Sequence, residues 1–209
     1  MLKLYIEILD KKRVEIWKDL RKLGEIGILG GGTALALQFK HRKSFDFDIF
    51  SDKPISSKLV WKMGEVWGKE NLEIVVDSKD ELTVVVEGEI KVSVIYFPFK
   101  NIANNLPTES VMVMDIPDLL ANKAYAVGRR GAWRDYVDIF WCLKNKKADL
   151  RQTIGWAKKK FGGVFPEKLF LEQLVYFDDL KERVVNWVGE GYENEEIEEF
   201  LREEVRKVL

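Results

Sequence analysis

The spacing of apolar residues changes once along this 209-residue chain, and that change restricts the fold class. In the first half, short runs rich in β-branched residues, LEIVVD, LTVVVEG and IKVSVIYF, are typical of strands, and Gly88 marks the turn between the last two. From Asp115 onward the apolar residues recur at helical spacing. The pattern therefore predicts an α+β part over residues 1–110, followed by a helical part over residues 111–209.

The helical part contains five predicted helices, which cover residues 115–129, 133–145, 149–161, 166–177 and 193–208. In the α+β part, we expect helices over residues 9–24 and 56–68 and in the short run TALALQF. The run IGIL before TALALQF is a predicted strand. Thr33 is the expected N-cap of the short helix, because its hydroxyl can accept a hydrogen bond from the first turn.

The segment SFDFDIF places two carboxylates on one face of a strand. Strict alternation puts Phe45, Phe47 and Ile49 on one face, and Asp46 and Asp48 on the other, about 7 Å apart by the rise of a strand. Like charges at that distance repel, and partial burial raises the cost. A divalent cation, Mg²⁺ or Mn²⁺, removes the repulsion, because Mg²⁺ binds one or two carboxylates and completes its shell with water and phosphate oxygens.

A glycine-rich turn lies shortly before these aspartates. The glycines Gly30, Gly31 and Gly32 join the predicted strand to the helix, so that backbone N–H groups at the helix N-terminus face an anion. Phosphate at the glycines and metal at the aspartates would form one site for a nucleoside triphosphate. The alternative is that the aspartates form the solvated face of an edge strand and that the glycines form an ordinary tight turn.

Two blocks of the sequence resemble a known family. The runs GGTALAL and RKSFDFDIF resemble motifs of the nucleotidyltransferase-like AbiEii/AbiGii toxins, which belong to the DNA polymerase β-like nucleotidyltransferase superfamily. The run LLANKAYAVGRRGAWRDYVDIFWCL is similar to the family's lysine helix and the R-D-x-x-D helix that follows it. The resemblance covers roughly residues 25–145. It implies a polymerase β-like core, with a mixed β-sheet flanked by helices, and a helical C-terminal region that completes the site and packs on the core.

The resemblance also implies roles for individual residues. Asp46 and Asp48 would bind the metal and act in catalysis, and Lys123 and Asp138 would be the other catalytic residues. The nucleotide would be bound by Gly31, Gly32, Thr33, Arg42, Ser44 and Lys123. Asp135 belongs to the same motif as Asp138, and the two would orient Lys123 or engage the acceptor.

Several of these residues have a purely structural alternative. Lys123 lies on the core-facing stripe of its helix, where a lysine commonly extends its ammonium group to solvent. Arg134 and Asp138 are spaced i, i+4, as in a surface ion pair. Ser44 would hold the loop before Asp46 instead of contacting phosphate.

The strand IKVSVIYF departs from the superfamily pattern. Polymerase β-like transferases commonly carry a third carboxylate there, which takes a proton from the attacking hydroxyl or completes a second metal site. This chain has Ser93 at the corresponding inward position, and serine is a poor metal ligand and no base near neutral pH. Either the base comes from elsewhere, with Asp138 the leading candidate, or the metal site is incomplete.

Composition restricts the chemistry, the partners and the location. The net charge of −1 provides no overall basic field, so RNA would need a local patch such as WAKKKFGG, whose lysines also suit a helix C-terminus. The only histidine, His41, excludes a histidine-based metal cluster, and we expect it at the surface or at the rim of the site. The only cysteine, Cys142, is expected in the core and indicates a reducing compartment.

We also expect neither a signal peptide nor a membrane segment. The run MLKLYIEILDKKRVEI reaches charged residues before an apolar core can build up, and no run approaches the roughly 20 apolar residues of a membrane span. The sequence therefore predicts a cytoplasmic protein with no membrane partner.

The hypothesis that these observations favour is a Mg²⁺-dependent nucleotidyltransferase, which moves a nucleoside monophosphate from an NTP to an acceptor hydroxyl. By resemblance, the acceptor would be tRNA or another RNA, and the protein would be a toxin with a partner antitoxin. A second hypothesis is a nucleotide-binding module that lost catalysis together with the third carboxylate. A third is a helical interaction domain whose aspartates are merely solvated.

Overall fold

The structure is a computed structural model that describes residues 4–127 and 129–209. The first residues of the run used above to argue against a signal peptide, and Gly128 in the predicted 115–129 helix, lie outside the described residues. The described chain divides into two compact units. The first comprises residues up to 100 together with 104–114, and the second comprises residues 101–103 together with 115–209.

The first unit is an α+β unit built on a five-stranded sheet with the strand order β1-β2-β5-β4-β3. Its elements are, in chain order, α1 Lys11–Leu20, β1 Ile28–Leu29, α2 Gly31–Phe39, β2 Phe47–Ser51, α3 Lys58–Trp67, β3 Leu72–Asp77, β4 Glu81–Val86 and β5 Ile90–Tyr96. Strands β2 and β5 are parallel, and the other neighbouring pairs are antiparallel. The predicted α+β fold with a mixed sheet flanked by helices is confirmed.

The register of the central strands aligns three polar residues across the sheet. Asp48 of β2 lies opposite Ser93 of β5, and Ser93 lies opposite Thr83 of β4. Phe47 and Ile49 are fully buried and Asp48 is half-buried, as the alternation in SFDFDIF predicted. Because β2 begins only at Phe47, Asp46 lies just before the strand and not within it.

The prediction that Thr33 is the N-cap of α2 was wrong. Helix α2 already begins at Gly31, Gly30 occupies the N-cap position, and the N–H of Ala34 donates to the Gly30 carbonyl at 3.3 Å. The glycines let the chain pass from β1 into the helix without a side-chain cap. The Thr33 hydroxyl instead donates to the carbonyl of Asp46 and lies 2.9 Å from Ser44 Oγ.

The second unit is helical. Its helices are α4 Ile116–Val127, α5 Trp133–Lys144, α6 Leu150–Phe161, α7 Glu167–Leu174 and α8 Asn194–Arg206. Each lies within the corresponding predicted segment. Helix α6 begins with a capping box, in which the Asp149 carboxylate accepts from the Gln152 N–H and the Gln152 side chain accepts from the Asp149 N–H.

A buried ion pair holds residues 101–103 in the second unit. Lys160 of α6 donates to Asp118 of α4 at 2.7 Å, and both side chains are inaccessible to solvent. The Asp118 carboxylate also accepts from the N–H groups of Ile102 and Ala103. Burial lowers the pKa of Lys160, and the bond to Asp118 opposes this shift. Lys160 is the third lysine of the run WAKKKFGG, and its side chain lies inside the second unit.

Among the described helices, none combines the length and the apolar character needed to cross a membrane.

Candidate active site

The glycine turn and Asp48 are in direct contact. The N–H of Gly30 donates to the Asp48 carbonyl at 2.8 Å. Gly31 has a φ of +64°, and a Cβ atom built on it would lie only 2.6 Å from Asp48 Oδ2. The Asp48 carboxylate therefore lies against the first residue of α2, at a position where only glycine leaves room for it.

Arg42 and Ser44 lie beside the next glycine. A Cβ atom on Gly32 would collide with Arg42 Nη2 and would lie 3.2 Å from Ser44 Oγ. The Arg42 side chain is buried, and its Nη1 donates to the Lys43 carbonyl at 3.0 Å. The N-terminus of α2 thus has a guanidinium and a hydroxyl beside its backbone N–H groups, and this combination favours an anion such as phosphate.

The backbone around Asp46 is fixed by two polar side chains. Thr33 donates to the Asp46 carbonyl, and Arg13 Nε donates to the Phe45 carbonyl at 2.9 Å. Arg13 is 9% exposed and its guanidinium also lies over the Phe45 ring. The sequence analysis missed Arg13, although it shares the buried stripe of α1 with Trp17 and Leu20.

The pair Asp46 and Asp48 supplies carboxylate oxygens, which are the donors that Mg²⁺ and Mn²⁺ prefer. Among residues 4–127 and 129–209, no group of three or more His, Cys, Asp or Glu side chains is placed to hold a metal ion. A hard cation held by Asp46 and Asp48 would have two protein ligands and would take its remaining ligands from water and substrate.

Ser93 is tied into a short chain of polar side chains. It is 4% exposed, and its Oγ lies 2.9 Å from Thr83 Oγ1. The Thr83 hydroxyl donates to Glu81 Oε1 at 2.6 Å. The sequence analysis missed Thr83 and Glu81, since alternating polar residues in ELTVVV are equally typical of a solvated strand face.

In the second unit, Lys123 lies between two carboxylates. Its Nζ is 2.6 Å from Asp135 Oδ1 and 2.7 Å from Asp138 Oδ2, and all three residues are buried. Arg130, which is largely exposed, donates to Asp135 at 3.0 Å. Lys123 therefore does not extend to solvent, and Asp138 is a buried partner of Lys123 instead of a surface partner of Arg134. The geometry brings together the lysine and both carboxylates of the second sequence block.

The remaining candidates of the sequence analysis lie in the interior. Cys142 is buried one helical turn after Asp138, and burial, with the Asp138 charge as a further cause, raises the pKa of its thiol. Its burial confirms the predicted core position. His41, which we expected at the surface or at the site rim, is 4% exposed, so it does not lie at the surface.

Comparisons with known proteins agree with the fold and with the motifs. The chain is 28% identical over 208 residues to the uncharacterized protein aq_aa25 of Aquifex aeolicus (strain VF5), covering 95% of this chain and 98% of that protein. Its fold is similar to that of a putative nucleotidyltransferase from H. pylori, with a TM-score of 0.58 and 19% identity, over 95% of this chain and 92% of the other.

The fold is also similar to that of MenT4, a nucleotidyltransferase toxin from Mycobacterium tuberculosis H37Rv. Here the TM-score is 0.63 and the identity 16%, over 96% of this chain and 82% of MenT4. The sequence pattern of the family described as nucleotidyl transferase AbiEii toxin, type IV TA system, matches residues 19–186. The chain therefore belongs to the AbiEii family of nucleotidyl transferase toxins, as its two sequence blocks predicted.

Proposed function

We propose that this protein transfers a nucleoside monophosphate from an NTP to an acceptor hydroxyl, with Mg²⁺ or Mn²⁺ as the metal. The observation that carries the proposal is the contact of the Asp48 carboxylate with Gly31, next to the contact of Arg42 with Gly32. A carboxylate for the metal and donors for phosphate then lie against two consecutive glycines of one turn, as a metal-bound triphosphate requires.

Each residue at the turn has a distinct role in this proposal. The backbone N–H groups at Gly31 and Gly32 and the Arg42 guanidinium bind phosphate oxygens, and Ser44 adds a hydroxyl. Thr33 acts through the backbone, because its hydroxyl holds the Asp46 carbonyl. The bound cation, held by Asp46 and Asp48, would neutralise charge on the triphosphate and polarise the α-phosphate.

Lys123 and Asp138 act together in the proposal. Lys123 neutralises charge that develops on the departing pyrophosphate, as positioning and electrostatics dominate phosphoryl transfer. Asp135 and Asp138 hold its ammonium group in one position, which the two short contacts support. Arg130 donates to Asp135 as well, so the cluster contains two cations and two carboxylates.

For the acceptor we propose RNA, with tRNA as the first candidate, and for the biological role a toxin that is opposed by an antitoxin. Membership of a toxin family supports the role. The run WAKKKFGG supports RNA binding less than its sequence indicated, because Lys160 is buried against Asp118 and Lys158 pairs with Glu167 at 2.6 Å. Since NTPs and tRNA are cytoplasmic, we place the reaction there.

The experiment that tests the proposal follows an α-³²P label. The protein is incubated with Mg²⁺, each labelled NTP and total tRNA, and the products are resolved on a gel. We expect label in RNA with one or more NTPs, and its loss in Asp46→Asn. Asp77→Asn, which removes an exposed carboxylate from β3, is the matched control and retains transfer.

The non-catalytic nucleotide-binding module is the second candidate, and the serine at position 93 favours it. It predicts Mg²⁺-dependent NTP binding with the nucleotide recovered intact and no labelled product, in RNA or in protein. Absence of NTP binding as well would contradict both candidates and leave an interaction domain with solvated aspartates.

A further inference from the structure

Three polar side chains lie in one row across the central sheet. Asp48, Ser93 and Thr83 occupy directly opposed positions on β2, β5 and β4. Opposed residues of neighbouring strands project from the same face, so Ser93 stands beside Asp48 and Thr83 stands beside Ser93. Glu81 precedes Thr83 by two residues on β4 and projects from that face as well.

The hydrogen bonds along this row have one consistent direction. Thr83 has a single hydroxyl proton, and its 2.6 Å bond to Glu81 Oε1 uses that proton, because a carboxylate oxygen can only accept. The proton between Thr83 Oγ1 and Ser93 Oγ, which lie 2.9 Å apart, therefore comes from Ser93. The donors and acceptors then run from Ser93 to Thr83 to Glu81, and the lone pairs of Ser93 Oγ can accept another proton.

The burial of the three residues changes along the chain of bonds. Ser93 and Thr83 are 4% and 3% exposed, whereas Glu81 is half-buried. The chain thus begins at a buried hydroxyl beside Asp48 and ends at a carboxylate that reaches solvent. A proton that arrives at Glu81 can leave to water.

We propose that Ser93, Thr83 and Glu81 form a proton relay that replaces the missing third carboxylate. This inference rests on the proposed nucleotidyl transfer, in which the attacking hydroxyl must lose a proton. A serine hydroxyl alone is too weak a base to take that proton. Ser93 can take it if its own proton moves at the same time through Thr83 to the Glu81 carboxylate. Ser93 is the residue next to the reacting hydroxyl, and Thr83 and Glu81 are positioning residues that act through it.

The proposed step balances. The acceptor oxygen forms a bond to the α-phosphorus, and the bond between that phosphorus and the bridging oxygen breaks, with its electron pair leaving on pyrophosphate. The acceptor O–H bond breaks and its proton moves to Ser93 Oγ. The Ser93 proton moves to Thr83 Oγ1, and the Thr83 proton moves to Glu81 Oε1. Both hydroxyls are restored, and Glu81 carries one proton more until it releases it to solvent.

A structural explanation of the same bonds makes different predictions. Buried hydroxyls need partners, and Glu81 could serve only to satisfy Thr83. In that case removal of the Thr83 hydroxyl would change stability and leave kcat intact. A relay predicts that kcat falls while NTP binding stays the same.

The test compares Thr83→Val, which keeps the shape and removes the hydroxyl, with Thr83→Ser, which keeps the hydroxyl. Glu81→Gln is the second variant, at a half-buried position where the amide can still accept the Thr83 bond but is a far weaker base than the carboxylate. We expect Thr83→Val and Glu81→Gln to lower kcat for label transfer by about 10²-fold, the usual size of a lost acid–base function. Thr83→Ser should stay close to the wild type. Kd for Mg–NTP should not change. Thr83→Val also removes the partner of the buried Ser93 hydroxyl, so both explanations expect a lower midpoint of thermal unfolding, and kcat is the readout that separates them.

A second arm places the carboxylate back at the expected position. In a Ser93→Asp background the base is direct, so Thr83→Val should no longer lower kcat. An equal loss in both backgrounds would overturn the relay, as would wild-type kcat in both Thr83→Val and Glu81→Gln. If the wild-type protein transfers no label, both the proposed function and the relay are wrong. If the wild type transfers label but the variants behave as in one of these two outcomes, only the relay is wrong.

Discussion

At the scale of single residues, the geometry of the site depends on which side chains fit against the glycines of α2. Arg42 is the clearest case, because its guanidinium occupies the space beside Gly32 and is nearly inaccessible to solvent. The planar guanidinium of arginine can donate two parallel hydrogen bonds to phosphate oxygens. The ammonium group of lysine interacts with them mainly as a point charge. The identity of residue 42, and not only its charge, should therefore decide nucleotide affinity.

We predict that Arg42→Lys raises Kd for Mg–NTP by about tenfold, since a charge-assisted hydrogen bond contributes about 1.5–3 kcal/mol and lysine replaces part of it. Titration calorimetry measures this change, with the thermal unfolding midpoint as the check on folding. Arg21→Lys, on the exposed end of the same unit, is the matched control and should bind as the wild type does. Equal affinities of all three proteins would remove Arg42 from the phosphate site.

Sequence reasoning identified the residues that belong to short motifs and missed those that act through the backbone or across strands. Asp48 could be predicted because its spacing from Asp46 and from the glycines is local. Arg13 could not, since its contact with the Phe45 carbonyl joins segments far apart in the chain. Glu81 could not either, because only the register of β4 against β5 brings the side chains of Thr83 and Ser93 together.

At the scale of elements, helices α4 and α5 are joined by a buried ion cluster. Lys123 contributes one charge from α4, and Asp135 and Asp138 contribute two from α5. Loss of one member of a buried pair leaves an uncompensated charge, which is costlier than loss of the whole pair. Studies of the lysine by substitution therefore need to separate stability from catalysis.

We predict that Lys123→Met lowers the free energy of unfolding by about 3–5 kcal/mol. Adding Asp138→Asn to Lys123→Met should restore part of that loss, because one uncompensated carboxylate is then removed. Urea unfolding measures both values, and Lys159→Met on the exposed face of α6 is the control with no expected change. Additive effects of the two substitutions would show that the residues do not interact.

The second buried pair, between Lys160 of α6 and Asp118 of α4, predicts a dependence of stability on pH. Burial lowers the pKa of Lys160 in the folded protein below the ordinary value of 10.5. Between the two pKa values the unfolded chain binds more protons than the folded one, so this lysine makes the free energy of unfolding rise with pH in that range. Below the lowered pKa both states are protonated and the contribution is constant.

The expected result is that the free energy of unfolding of the wild type, relative to Lys160→Met, increases as the pH rises from the lowered pKa toward 10.5. Urea unfolding at a series of alkaline pH values measures the difference. A free energy of unfolding that stays constant up to pH 10.5 and decreases above it would mean that the bond to Asp118 outweighs the burial of the ammonium group.

At the scale of the whole molecule, the periodicity of the sequence predicted strands in the first half and helices after Asp115, because periodicity is a property of local segments. The five C-terminal helices and the β3–β5 strands lie where the apolar spacing placed them. The strand order and the parallel pairing of β2 with β5 required the structure, since they depend on contacts between distant segments. Two sequence blocks were enough to predict the family. The family's sequence pattern matches residues 19–186, which is most of the chain.

In the proposed function, the turn at Gly31 and the Asp48 carboxylate form one nucleotidyl-transfer site. Gly31→Ala and Gly88→Ala test it as a matched pair, because both glycines have positive φ, +64° and +71°, and the strain of alanine is similar. A methyl group at residue 31 meets Asp48 Oδ2, whereas one at residue 88 meets nothing within 4 Å.

The measurement is the rate of α-³²P label transfer from NTP to RNA by the wild type and the two variants. We expect transfer close to the wild-type rate for Gly88→Ala and a loss of about 10²-fold or more for Gly31→Ala, because a catalytic group displaced by about 1 Å loses activity on that scale. Equal rates for the two variants, or a wild-type protein that transfers no label, would contradict this expectation.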